Sequence, residues 1–164
     1  MKYMKMAVIA MMALAFESQA EYLSVPTLAT ADIIISDPQS VSHTLVPERG
    51  LIAGQLNEGT PVALGYVQTI PKETSIALAW ASGTPDTTNS HIIPSLENSN
   101  NTLTVSFFNP DAGQTFLVDN AINAFVLSAT EPKSDWRYVV RAAHSQRVAA
   151  GTYQLVINAY LYAL

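Results

Sequence analysis

The chain has 164 residues, 49% of them hydrophobic, with 13 acidic against 8 basic side chains and no cysteine. The net charge of −5 argues against nucleic acid or anionic lipid as a partner. Without disulfides, stability has to come from packing and hydrogen bonds. Lys2 and Lys5, the apolar run Met6 to Phe16 and the small-x-small site Ser18-Gln19-Ala20 predict a secretory leader over residues 1–20. The apolar run is too short for a bilayer span, which takes roughly 20 residues. Cleavage after Ala20 leaves 144 residues, six basic and twelve acidic, enough for one domain with a sizeable core.

Tyr22 to Ser36 comes next. Its odd positions from Leu23 read Leu, Val, Thr, Ala, Ala, Ile, Ile, a period-2 face with no hairpin partner beside it. The segment is either the first strand of its own domain or a strand for another sheet. Asp37-Pro38 breaks the chain. Strands are predicted over 39–46, 62–70 and 74–81, with turn residues at 47–50, a glycine-punctuated loop over 51–59 and a turn at Pro71-Lys72-Glu73. Residues 82–90 read as loop, and 91–96 as a short edge strand cut by Pro94.

After the Asn98-Ser99-Asn100-Asn101 turn, Thr102 to Phe108 has the β-branched and aromatic content of a strand. Strands are expected over 115–118 and 123–129, where Phe125-Val126 outweighs a helical reading of 121–129. A loop over 130–134 and strands over 136–142 and 152–163 complete an all-β pattern. Many short strands separated by turn signals indicate a β-sandwich.

The order of elements resembles a known family. Ala31-Asp32-Ile33-Ile34-Ile35-Ser36-Asp37-Pro38-Gln39 followed by Thr44 to Gly54 (TLVPERGLIAG) resembles the start of Saf-type pilins. Tyr138-Val139-Val140 and Ala150 to Ile157 (AGTYQLVI) resemble their last two strands, and the layout is similar to capsule-like fimbrial antigens assembled by long-loop (FGL-class) chaperones. Between residues 62 and 133 only the strand pattern agrees.

This resemblance implies an incomplete immunoglobulin-like β-sandwich lacking its last strand and completed in trans by a donor strand. It implies a pilin domain over 38–164 and a donor extension over 21–37, with Leu23, Val25, Ala29, Ala31, Ile33 and Ile35 facing the groove of the next subunit. The register near Leu23 stays open between Leu23 and Tyr22, and Pro26 removes one backbone donor. Tyr153, Leu155, Ile157, Ala159 and Leu161 are the expected acceptor-groove positions. The implied partners are neighbouring copies of the chain, a periplasmic chaperone, an outer-membrane usher and a possible host receptor, at a fimbrium on the cell surface. Physically this is strand addition to an exposed sheet edge. The alternative is a tip adhesin or a secreted carbohydrate- or receptor-binding sandwich.

No catalytic, cofactor-binding or metal-binding role is expected. His43, His91 and His144 stand far apart without an HExxH or cysteine partner, and no nucleophile elbow or phosphate loop occurs. Trp80 and Trp136 are expected in the core, while Tyr160 and Tyr162 fall on the opposite face from Ile157 and Ala159.

Overall fold

The alternation of large apolar with small or polar residues becomes ten strands in the computed structural model, which describes residues 39–87 and 89–163. The expected leader and the extension, with Leu23, Val25, Ala29, Ala31, Ile33 and Ile35, lie outside the described residues. The strands are β1 (Ser40–Pro47), β2 (Gly54–Leu56), β3 (Pro61–Trp80), β4 (Thr84–Thr87), β5 (Ser90–Pro94), β6 (Thr102–Phe108), β7 (Gln114–Asp119), β8 (Ala124–Ala142), β9 (Gln146–Val148) and β10 (Ile157–Leu161). No helix occurs among the described residues.

Eight strands form one curled sheet in the order β1-β3-β8-β6-β5-β4, with β10 also on β3 and β7 also on β8. β2 and β9 make a separate two-stranded ribbon. The curl comes from β3 and β8, which pair with each other along both halves. In its first half β3 carries β1, from Ser40↔Ile70 to Pro47↔Ala63. In its second half it carries β10, from Ile157↔Trp80 to Leu161↔Ile76. Phe107 of β6 joins the two leaves: its ring lies 4.1 Å from Trp80, 5.1 Å from Phe125 and 5.6 Å from Tyr138. Around it Val67, Ile76, Leu78, Leu127, Trp136 and Val140 are fully buried.

Two expected breaks are absent. The predicted strands 62–70 and 74–81 merge into β3, Pro61–Trp80, through Pro71, and 123–129 and 136–142 merge into β8, Ala124–Ala142, through Pro132. The ladder between them slips at this point, with register shifts between Gln68 and Glu73 and between Glu73 and Ser75. At such an irregularity a proline owes no ladder hydrogen bond, so the ribbon bends without ending. The predicted loop 82–90 contains β4, and β5 is interior, flanked by β4 and β6, not an edge strand. The predicted strand 152–163 is regular only over Ile157–Leu161. Trp136 is buried, as expected, and Trp80 is half-buried against Phe107 and His91.

Candidate strand-acceptor groove

β1 and β10 hang on successive halves of β3, and among the described strands each pairs with β3 alone. Their other edges face one another. Along β1 the period-2 alternation turns Val41, His43 and Leu45 inward and leaves Ser42, Thr44 and Val46 exposed. Along the final segment, Tyr153 and Leu155 are half-buried, Ile157 is buried and Ala159 packs on the core. Leu161 is half-buried and pairs with Ile76. The five expected acceptor residues are thus brought onto one line, although Tyr153 and Leu155 precede the regular strand.

The direction of the two walls follows from their contacts. Pro47, at the end of β1, and Tyr153 and Leu155, early in the final segment, line one cavity of ≈ 380 Å³ floored by Val62 and Leu103. His43, four residues earlier in β1, meets the backbone of Ile157, later in the final segment. The walls therefore run in opposite senses. At the mouth of the cavity Leu51 and Ile52 are exposed, Ile52 by 84%. Ala81 N–H donates to the Val156 carbonyl at 2.8 Å, so that carbonyl faces β3. By strand alternation the Ile157 carbonyl faces the gap.

His43 occupies the middle of the gap. The nearby Ile157 backbone acts to raise its pKa, as a carbonyl beside the ring does. The other side of the neutral ring is met by the Tyr138 hydroxyl, 2.7 Å from Nε2. Tyr138 reaches it from β8 by lying over Gly65, where a Cβ would fall inside the phenol ring. Burial drives the His43 pKa below 6.5, the Ile157 backbone opposing it, and burial pushes the Tyr138 phenol upward. His91, buried beside Trp80, is also lowered by burial.

These histidines give an acid sensitivity. Their folded pKa values lie below the unfolded 6.5, so as pH falls through that value the unfolded chain binds more protons and stability declines. The urea midpoint is expected to be lower at about pH 5.5 than at about pH 7.5, and His43→Gln should flatten that difference.

The final segment is fixed from its far side. Leu96 N–H donates to the Thr152 carbonyl at 2.9 Å, and Ser95 bridges to Tyr153. The Glu97 carboxylate accepts from the Ser95 hydroxyl at 2.6 Å and from Thr152 N–H at 2.7 Å. These bonds, the Ser95 hydroxyl foremost, hold its pKa at about 2. A Cβ on Gly151 would lie 2.5 Å from Ser95 Oγ, so glycine is what lets the chain approach this clamp. The tether keeps Tyr153 and Leu155 against the core while their edge toward β1 takes no part in the sheet.

On the outer face Tyr160 is 49% exposed. Tyr162 is half-buried: it packs over Ala77, Ala124 and Val126, and its hydroxyl donates to Asp119 at 2.7 Å. His43 shares the inward face of β1 with Val41 and Leu45, but the sequence marked it only as a histidine without a metal-binding partner. The Glu97 clamp left no sequence signal, since it joins Ser95, two residues away, to Thr152, 55 residues away.

No family model matches the sequence, and no curated protein matches it. Solved structures do share the fold. The Salmonella SafD adhesin aligns with a TM-score of 0.66 at 16% identity, covering 76% of this chain and 88% of that one. HdaB, the minor tip subunit of the E. coli Hda pilus, gives 0.62 at 15%, covering 74% and 84%. AggB, the minor subunit of E. coli aggregative adherence fimbriae type I, gives 0.58 at 14%, covering 73% and 83%. The fold is an incomplete immunoglobulin-like β-sandwich.

Proposed function

We propose that this chain is a structural subunit of a chaperone–usher surface fimbria, polymerising by donor-strand complementation. The observation that carries this reading is the gap between β1 and the final segment. It has two strand edges facing each other, an apolar floor and an open cavity at one end. Such a gap accepts one extended strand by β-augmentation, with backbone hydrogen bonds on both sides and alternate side chains directed into the core. The occupant is the 21–37 extension of a neighbouring copy, with Leu23, Val25, Ala29, Ala31, Ile33 and Ile35 inward. A head-to-tail contact of this type does not close and so generates a filament. Before assembly the groove is held by a periplasmic chaperone, and an outer-membrane usher exchanges the strands. The fold likeness to fimbrial subunits supports this assignment.

A second reading places the chain at a fibre tip, since two of these structural relatives are an adhesin and a minor tip subunit. A terminal subunit accepts a strand but has no subunit beyond it to donate to. Deleting Glu21 to Ser36 separates the two. The proposed role requires chaperone binding to persist and polymers to vanish. Fibres of undiminished length from the deleted chain would overturn it.

A further inference from the structure

We propose that His43 sets the size of the side chain an incoming strand carries at the centre of the groove. The small pair Ala29 and Ala31, in the extension of a second copy, is what it admits. This rests on the donor-strand reading above.

Three observations converge. Of the three inward residues of β1, Val41 and Leu45 are aliphatic and offer apolar contact, whereas His43 between them lies near the Ile157 backbone and is held by the Tyr138 hydroxyl. The imidazole cannot simply swing aside. Tyr138 holds it at 2.7 Å, and the Tyr138 ring is itself seated over Gly65 with no space for a Cβ. Finally, the Ile157 carbonyl it meets is one that a strand entering the gap would need to bond. At this level an entering strand has to pass a supported ring, which a methyl group permits and a longer branched side chain does not.

The extension has the complementary profile. Its period-2 face runs Leu23, Val25, Thr27, Ala29, Ala31, Ile33, Ile35, small in the middle and larger on both sides. From Tyr153 to Leu161 the groove wall spans about 30 Å at about 3.3 Å per residue, and the extension exceeds that length. His43 and Ile157 are each central in their wall. Centring the extension on the groove sets Ala29 or Ala31 against His43 in either strand direction.

The test uses the full mature chain, in which every copy carries both extension and groove. Ala29 and Ala31 are each replaced by Gly, Val and Leu, and polymer yield with a co-expressed chaperone is measured. Thr27→Leu serves as the off-centre control. Yield should fall with side-chain size at position 29 or 31, by at least about tenfold for leucine, and much less at Thr27. Adding His43→Ala to the impaired leucine variant should restore polymer to within about threefold of wild type.

Equal yields across the series at both alanines would overturn the inference. So would a folded double variant that stays impaired. If His43→Ala does not fold, the size series alone decides. Loss of polymer on deleting Glu21 to Ser36, with no size dependence at either alanine, would leave the donor-strand reading standing and remove only this one.

Discussion

A synthetic peptide of residues 21–37, added to the chain truncated to Pro38–Leu164, is expected to raise its unfolding midpoint by roughly 10 °C. A ligand at about a hundred times its dissociation constant stabilises the folded state by about 2.7 kcal/mol, and for a domain of this size that moves the midpoint by roughly 10 °C. The stabilisation arises because β1 and β10 each gain a second neighbour and the cavity beside Tyr153 and Leu155 loses its contact with water. Leu155→Asp should abolish the shift. A carboxylate there would face the apolar floor of Val62 and Leu103, where an unpaired charge is costly to bury. Tyr160, on the outer face and half exposed, supplies the control: Tyr160→Ser should leave the peptide effect intact. Differential scanning fluorimetry across a peptide titration measures all three. A peptide-independent midpoint in the wild-type domain would contradict the groove assignment.

The second large effect is expected at Gly65. The methyl of Gly65→Ala has no room, because the Tyr138 ring already fills that space. Either the ring leaves, breaking its bond to His43 and opening a void beside Phe107, or β3 and β8 separate locally. Overpacking a tight core costs about 1–3 kcal/mol and the lost hydrogen bond about 1 kcal/mol more, so a loss of about 3 kcal/mol is expected in urea unfolding. The same substitution at Gly113, where nothing lies within 4 Å, should be nearly neutral. In a Tyr138→Leu background the Gly65 substitution should cost far less, since the obstructing ring is gone. Equal costs at Gly65 in the two backgrounds would show that the ring is not the cause.

The sequence was most readable where local chemistry and tertiary role agree. Thr102 to Phe108 is β-branched and aromatic, bounded by an asparagine-rich turn and Asn109-Pro110, and β6 has those same limits. The inward and outward faces of Tyr153 to Leu161 were legible for a similar reason, since these residues alternate whether or not the backbone is regular. Pro71 and Pro132 misled because proline marks a break only where a ladder bond is required, and the β3–β8 register slips between Gln68 and Ser75. The Ser82–Ser90 region carries β4 on polar residues whose strand character comes from pairing with β5, not from propensity. His43 and Gly65 belong to a third kind. Their roles come from one tyrosine reaching across a neighbouring strand, a relation that spans 95 residues between His43 and Tyr138 and has no local signature.

Both rims of the groove are carried by the single 20-residue strand β3, β1 on its first half and β10 on its second. In the proposed fibre this fixes how tension is borne. A pull along the axis slides the inserted strand against its two neighbours, so their hydrogen bonds are loaded together, in shear, not opened one after another. The load from both rims then converges on β3, which is anchored along most of its length to β8. A subunit built this way would extend little before the inserted strand slips, and its mechanical strength would be set by the length of strand inserted more than by any single side chain.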